Sequence, residues 1–242
     1  MFSHAGDDWR ESRDYVRKRM GLPRRTAPRR PARRRVLEHR SGEEDDGRAL
    51  SLWRRRQPVV RSVAERYLRE ARGYHGPIPA TLGFLPPQGG HPPALIAAFG
   101  LATESEPAVI DIADAKVRGV HLVRLAPDGR SRLDKITVGR GGLGSPIVVA
   151  PLNDGLGLAI TEGIEDALSI HIATGLGAWA AAGASRMPAI AEAVPTYCEC
   201  VTVIGDDNDA GRKNAGELTA RLRARGFEAI LKIVAGRLVE AA

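Results

Sequence analysis

The chain has 242 residues, 43% of them hydrophobic, and its 36 Lys and Arg exceed its 29 Asp and Glu to give a net charge of +7. A chain of this length and hydrophobic content can bury a core in one or two domains. It contains no run of about 18 apolar residues, which excludes a membrane-spanning helix, and we expect no secretory signal because the first 30 residues lack an apolar core.

The basic excess lies in the first quarter of the chain. Residues 1–60 hold 17 basic and 9 acidic residues, whereas residues 61–242 hold 19 and 20. Clustered arginines interrupted by proline, as between Arg24 and Arg35, disfavour regular structure. We therefore predict an Arg-rich, disordered arm over residues 1–57. It either binds nucleic acid by displacing phosphate counterions or is a solvated linker or a mis-assigned start of the chain.

Residues 58–145 have the pattern of a small α+β subdomain. Apolar residues at helical spacing after Pro58 predict a helix that ends at Gly73. Residues 94–99 and 108–112 are candidate strands. Residues 119–139 predict a hairpin whose turn is Pro127-Asp128-Gly129. The strands of this subdomain are expected to be antiparallel.

Residues 146–242 alternate strands with helices, which is typical of an α/β domain with a mainly parallel, doubly wound sheet. The apolar strand candidates are residues 146–151, 156–161, 177–183, 200–205 and 228–234, and the helix candidates are 163–173, 187–194 and 211–225. The only two cysteines, Cys198 and Cys200, are too few for a zinc site of their own and poorly placed to pair. A reducing, cytoplasmic location suits them.

Acidic residues follow two of these buried strands. Glu162-Gly163 comes after one strand, and the Gly205–Gly211 segment, with three aspartates, follows another. Ligands of open α/β sheets bind at the carboxyl ends of the strands. Carboxylate oxygens there suit Mg²⁺ and the chemistry of phosphoryl or nucleotidyl transfer. Each turn taken singly also fits a helix N-cap, but the pair favours a metal site.

Two segments resemble the motifs of the Toprim domain, which bacterial-type DNA primases, topoisomerases and some nucleases share. They are TEGIEDALS (161–169) and VTVIGDDNDAGRKNA (201–215). From about Trp53 onward the chain resembles the Toprim primases of phages, plasmids and integrated elements. These primases correspond to the catalytic core of the bacterial DNA primase. The resemblance implies a Rossmann-like Toprim domain preceded by a small α+β subdomain.

The resemblance also implies roles for individual residues. Glu162 is expected to be the catalytic acid/base or a carboxylate beside the metal, and Asp206 the first metal-binding aspartate. If Gly211 is aligned with the glycine of the motif, Asn208 occupies the second aspartate position and Asp209 is a possible substitute ligand. In the alternative register, the pair is Asp207 and Asp209. We favour the first register, in which the loss of a charge at Asn208 places activity in question.

Five basic residues are candidates for binding nucleic acid or nucleotide. Arg124 and Lys135 lie on the predicted hairpin, Arg140 lies in a Gly-rich loop, and Arg212 and Lys213 begin the helix after the second acidic turn. Each could contact the template or the triphosphate of an incoming nucleotide. The alternatives are a solvated sheet face for the first two, a plain loop for Arg140, and local charge compensation for the last two.

The function expected from the resemblance is synthesis of RNA primers on single-stranded DNA from ribonucleoside triphosphates, dependent on Mg²⁺ or Mn²⁺, in replication of a phage or mobile element. The chain lacks an upstream Cys/His zinc module and an acidic element after the last strand. We therefore expect a primase core that is truncated or works with a replicative helicase or a separate zinc-binding module. The alternatives are a Toprim nuclease-like phosphodiesterase and a catalytically impaired remnant that binds DNA or a partner.

Overall fold

The structure, a computed structural model, describes residues 42–106, 109–140 and 142–235. Its first half contains helix α1 (Gly42–Arg54), helix α2 (Val63–Arg66) continued by a π-helical turn (Tyr67–Ala71), and strands β1 (Leu82–Leu85), β2 (Ala94–Phe99), β3 (Thr103–Glu106), β4 (Val109–Asp111), β5 (Gly119–Leu125) and β6 (Arg132–Val138). A 3₁₀ turn (Asp114–Lys116) precedes β5. Among the described helices, none is long and apolar enough to cross a membrane.

Four of these strands form an antiparallel sheet in the order β1-β2-β5-β6, and β3 pairs with β4 alone. The hairpin between β5 and β6 is confirmed, together with its turn. There Gly129 adopts a φ of 72°, which favours glycine, and its N–H donates to the carbonyl of Ala126 at 2.9 Å. The strands predicted at residues 94–99 and 108–112 are also present, the second as β4.

Helix α1 corrects the prediction that residues 1–57 are disordered. Trp53 is fully buried and Ala49 is 1% exposed, and both pack in a core with Ile96 and Val120 of the antiparallel sheet. The guanidinium of Arg56 lies 3.6 Å from the centre of the Trp53 ring. Charged residues on both sides of this narrow apolar face concealed it in the composition. The rest of the predicted arm, residues 1–41, lies outside the described residues.

The second half contains strands β7 (Ile147–Ala150), β8 (Gly157–Thr161), β9 (Gly177–Ala180), β10 (Cys200–Asp206) and β11 (Glu228–Val234), with helices α3 (Ile164–Thr174) and α4 (Asp209–Ala224). The sheet order is β11-β10-β8-β9-β7. All neighbouring pairs are parallel except β7 with β9, so the predicted mainly parallel sheet is confirmed. The helix predicted at residues 187–194 is a 3₁₀ helix (Ala184–Ala193) that contains Pro188.

One hydrophobic core joins the antiparallel sheet to the five-stranded sheet. It includes Tyr67 and Phe99 from the first half, and Val149 and Leu168 from the second. Helix α4 packs in a separate core with β8 and β10, so helices cover both faces of the five-stranded sheet. The division into domains at residues 145 and 146 stays a prediction. Strand β6 pairs with β5 of this core and lies near the carboxyl ends of the parallel strands.

Candidate active site

A cleft of about 450 Å³ lies at the carboxyl ends of the parallel strands. Strands β8 and β10 are neighbours in register, with Thr161 opposite Ile204, so the residues that follow them meet at one edge of the sheet. The charged residues lining the cleft are Arg72, Arg132, Lys135, Glu162, Glu165, Asp166, Asp206 and Asp207. The cleft therefore combines carboxylates from the five-stranded sheet with basic residues from the first half of the chain.

Glu162 comes directly after β8 and is held beneath the 3₁₀ helix. Its carboxylate accepts a hydrogen bond from the backbone N–H of Ala184, but its Oε2 is buried without a hydrogen-bond partner among the described residues. Burial and, secondly, the nearby carboxylate of Asp206 raise the pKa of Glu162, against smaller lowering effects that include Lys135. An unsatisfied, buried oxygen with a raised pKa is suited to receive a proton or a cation.

Asp166 lies in the first turn of α3, beside the glycine of the same motif. A Cβ on Gly163 would come 2.7 Å from Oδ2 of Asp166, so a larger residue would displace the carboxylate. The hydroxyl of Thr161 donates to the carbonyl of Gly163 at 2.7 Å and holds this turn. Burial, followed by the charges of Glu165 and Asp206, raises the pKa of Asp166. Glu162, Asp166 and Asp206, which we call the acidic side of the cleft, thus repel one another.

The second acidic turn is arranged around Asp206, the last residue of β10. Asn208 caps α4, since its Oδ1 accepts from the N–H of Gly211 at 2.9 Å. A Cβ on Gly211 would lie 2.4 Å from the carbonyl oxygen of Asp206, so only glycine lets the helix pack this closely on the strand. The side chain of Asp207 accepts from Nε of Arg212 at 2.8 Å.

Arg72, Arg132 and Lys135, which we call the basic side of the cleft, surround the buried carboxylate of Glu165. Lys135 Nζ lies 3.6 Å from Oε2 of Glu165, and the nearest nitrogens of Arg72 and Arg132 lie 3.7 and 4.0 Å from Oε1. The hydroxyl of Tyr67 donates to Oε1 at 2.7 Å. Burial raises the pKa of Glu165. Lys135, the hydrogen bonds and Arg72 together lower it by more, so the net shift of the pKa is downward.

Glu165, Arg72 and Arg132 were not predicted from the sequence as residues of this site. A regular strand would direct residues 132 and 135 to opposite faces. The pairing of β5 with β6 shifts between Arg124 and Leu125, so that Leu125 lies opposite Arg132 and one residue of β6 is skipped. This bulge places Arg132 beside Lys135. The one signal available in the sequence was Glu165 itself, a charged residue between Ile164 and Asp166 at the start of a helix whose next turn is apolar.

The structure brings four of the predicted site residues into the cleft and leaves five elsewhere. Lys135, Glu162, Asp206 and Asn208 line it. Arg124, Arg140, Asp209, Arg212 and Lys213 are not among its lining residues. Arg124 pairs with Asp134 on the opposite face of the hairpin, and Arg140 donates its backbone N–H to Asp46 at 2.7 Å. Asp209, in the first turn of α4, is exposed.

Carboxylate spacing limits how a metal ion could be held. Within the ranges that the structure describes, no group of three or more His, Cys, Asp or Glu side chains is clustered closely enough to hold an ion. Mg²⁺, however, commonly takes only one or two carboxylates and completes its shell with water and phosphate oxygens. The repulsion among the acidic side chains and the unsatisfied Oε2 of Glu162 fit such a cation.

Comparison with known proteins supports a Toprim fold. Residues 157–235 match the Toprim domain family, as predicted from the two motifs. The structure of the DnaG catalytic core aligns with a TM-score of 0.50 and 15% identity, over 80% of this chain and 72% of that one. This likeness shows a common fold. No curated protein sequence matches the chain.

Two further solved structures are similar at a lower level. The primase fragment of the bacteriophage T7 primase-helicase aligns with a TM-score of 0.41 and 15% identity, over 70% of this chain and 60% of that one. A DNA primase domain from Pseudomonas aeruginosa aligns with a TM-score of 0.41 and 10% identity, over 66% and 50%. The chain thus spans less than two thirds of either of these structures.

Proposed function

We propose that this chain, in which residues 157–235 form a Toprim domain, is a nucleotidyltransferase of the DNA primase type. It would join ribonucleoside triphosphates into a primer on a single-stranded DNA template in the cytoplasm, during replication of a phage or mobile element. The observation that carries the proposal is the cleft in which the carboxylates of Glu162 and Asp206 lie together with Arg132 and Lys135. Nucleotidyl transfer needs both kinds of charge: negative carboxylates to bind a metal ion and positive side chains to bind the triphosphate.

Mg²⁺, or Mn²⁺ in its place, would be held by Glu162 and Asp206. Bound there, the ion would lower the pKa of an attacking hydroxyl and neutralise charge on the pyrophosphate that leaves. Asn208, which we expected to be a ligand, has its side-chain oxygen engaged in capping α4. We assign it to positioning the turn, and Asp209 to the exposed start of the helix.

The side chains of the cleft would then act in two ways. Glu162, whose Oε2 has no hydrogen-bond partner among the described residues, would accept the proton of the attacking 3′-hydroxyl. Lys135 and Arg132 would bind phosphate oxygens of the incoming nucleotide by charge-assisted hydrogen bonds. The same carboxylates would also serve a phosphodiesterase, because that reaction needs a similar metal site. The basic side favours the primase, since a triphosphate carries more negative charge than a diester.

The products of a template-directed assay test the proposal. The full chain is incubated with single-stranded DNA, labelled ribonucleotides and Mg²⁺ or Mn²⁺, and the products are separated on a denaturing gel. Oligoribonucleotides that disappear in Glu162→Gln but persist in the matched surface variant Glu217→Gln are expected. Shortened DNA would instead identify a nuclease. With neither product, the chain is a binding remnant and the enzymatic proposal is wrong.

Partners are proposed from the same comparison. One similar structure is the primase fragment of a primase-helicase, and another, from Aquifex aeolicus, contains zinc-binding and RNA polymerase domains. We therefore propose that a replicative helicase or a separate zinc-binding module assists this chain on DNA. Addition of such a partner in trans is expected to increase primer yield in the assay above.

The Arg-rich segment is proposed to supply affinity for DNA. Residues 1–41 hold 13 basic and 5 acidic residues, and each phosphate contact made by such residues steepens the dependence of binding on salt. Deletion should stop at residue 41, because α1 packs in the core. Removal of residues 1–41 is expected to weaken binding and flatten its salt dependence. Unchanged binding across a salt titration would identify a linker.

A further inference from the structure

Glu165 is a buried charge that no step of the proposed reaction uses. It is only 8% exposed, and a buried carboxylate costs several kcal/mol unless partners compensate it. Its partners come from three other segments: Tyr67 in the turn after α2, Arg72 just beyond that turn, and Arg132 and Lys135 on β6. An apolar residue would fill this position of α3 at lower cost, so the charge requires an explanation.

The arrangement holds three cations around one anion. The nearest nitrogens of Arg72, Arg132 and Lys135 all lie within 4.0 Å of Glu165, at 3.7, 4.0 and 3.6 Å. Three charges against one leave this cluster with a surplus of two positive charges, opposite the carboxylates of the acidic side. Without Glu165 the three cations would repel one another, and long, flexible side chains would separate.

Tyr67 connects the buried part of this cluster. Its hydroxyl accepts from Nε of Arg72 at 2.7 Å and donates to Oε1 of Glu165 at 2.7 Å. Arg72 is itself buried, with 8% of its side chain exposed, whereas Lys135 is 32% and Arg132 46% exposed. The buried members thus fix the carboxylate, and the carboxylate fixes the two cations that reach the open part of the cleft.

We propose that Glu165 is a positioning residue, which holds Lys135 and Arg132 at the separation that the triphosphate of a nucleotide requires. It does not touch the substrate, but acts through the two cations that do. The identity of the bound group as a nucleoside triphosphate rests on the function proposed above. Binding of a polyphosphate to Lys135 and Arg132 does not depend on that function, and it can be measured without catalysis.

The test is the affinity of the full chain for inorganic tripolyphosphate, measured by titration calorimetry without metal ions. In Glu165→Gln the cleft becomes more positive by one unit. If only net charge matters, tripolyphosphate binds this variant more tightly than the wild type. If Glu165 positions the cations, binding weakens in spite of the added positive charge, by about tenfold, as expected for one lost charge-assisted hydrogen bond.

Two variants control the result. Tyr67→Phe removes the hydroxyl between Glu165 and Arg72 without a change in charge, and it is expected to weaken binding about fivefold, a neutral hydrogen bond being worth less. Glu217→Gln makes the same change of charge on the exposed face of α4, where Glu217 pairs with Arg221, and it is expected to leave the affinity within about twofold, as a surface pair contributes little. Melting temperatures are recorded for each protein.

The outcomes separate this inference from the function. Weaker binding in Glu165→Gln and Tyr67→Phe upholds it, even where no primer is made. Equal or tighter binding in Glu165→Gln, or no binding by the wild type, overturns it. If Glu165→Gln fails to fold, Tyr67→Phe and Glu165→Asp decide: the inference holds if both fold and bind more weakly, and it is wrong if either binds as the wild type does.

Discussion

The acidic and basic sides of the cleft differ in how the fold balances their charges. Glu162 and Asp166 have raised pKa values because burial and neighbouring carboxylates disfavour their charges, and Oε2 of Glu162 lacks a partner among the described residues. The basic residues instead share an internal counter-ion, Glu165. Burial raises its pKa, but Lys135, Arg72 and its hydrogen bonds lower it on balance. The acidic side therefore needs a bound cation to balance its charge, whereas the charges of the basic side are paired before any ligand binds.

The difference also has a counterpart in the chain. The acidic side is built from two short turns that follow neighbouring parallel strands, so each turn is local in sequence. The basic side is assembled from segments far apart, with Arg72 and Glu165 separated by 93 positions in the printed sequence. A site that depends on a counter-ion from solution can be local, whereas one that carries its own counter-ion needs the whole fold.

The largest expected effect is that of Asp206→Asn. Removal of this carboxylate takes away half of the proposed metal-binding pair, so product formation with Mg²⁺ should fall by about 100-fold or more. Mn²⁺ should also no longer raise the melting temperature of the variant, because a ligand stabilises only a fold that binds it. A variant that Mn²⁺ stabilises as it does the wild type would show that the acidic side needs no cation at this residue.

A second effect concerns the packing of α4 on Asp206. In Gly211→Ala the new methyl group would meet the carbonyl of Asp206 at 2.4 Å, and we expect a loss of about 1–3 kcal/mol in the free energy of unfolding. Gly216→Ala on the same helix is the control. It has nothing within 4 Å and should stabilise by about 0.5–1 kcal/mol. Urea denaturation measures both, and equal losses would mean that the helix does not pack closely on the strand.

Asn208 tests whether the second turn is held by a cap. Asn208→Ala removes the acceptor of the Gly211 N–H and should cost about 1 kcal/mol of stability. Asn208→Asp keeps the acceptor and adds a carboxylate next to Asp206. The negative charge of this carboxylate interacts favourably with the positive N-terminal end of α4. We expect it to retain stability and to bind Mn²⁺ more tightly than the wild type. Stability is measured by thermal denaturation. A similar loss of stability in both variants would contradict the role of Asn208 as a cap.

The smallest effect is a gain in stability from Glu162→Gln. The folded-state pKa of Glu162 is raised above the ordinary 4.5, so the folded protein favours the protonated form and loses stability as pH rises from 4.5 through the raised value. The variant, which cannot ionise, should melt about 2 °C higher at neutral pH, a small gain because the group is partly exposed. The difference should vanish as pH falls below 4.5. A difference that does not change with pH would exclude ionisation as its cause.

The sequence predicted best what is local. Apolar runs bounded by turns marked the strands, and two acidic turns marked the edge of the sheet where Glu162 and Asp206 meet. Of the two hairpin residues predicted to bind nucleotide, Lys135 lines the cleft and Arg124 does not. In the observed register Lys135 lies opposite Val123, and Arg124 opposite Asp134, so alternation directs Arg124 to the other face. Motif recognition does not supply that register.

The parts that were missed depend on long-range packing. The apolar face of α1 consists of Ala49, Leu52 and Trp53 in a charged segment, and it packs against the antiparallel sheet. Arg132 reaches the cleft through a bulge, which the pattern of β6 does not predict. The charge of Glu165 is compensated by Tyr67 and Arg72, which lie in another part of the fold and are distant in sequence.

The cluster around Glu165 limits how the Toprim segment can be exchanged between proteins. A chimera that grafts residues 157–235 onto an unrelated partner would bring Glu165 without Tyr67, Arg72 and the hairpin. The carboxylate would then be buried without a counter-ion, at a cost of about 3–5 kcal/mol. The two halves of this cleft are therefore expected to be exchangeable only together, even though the family motif lies in only one of them.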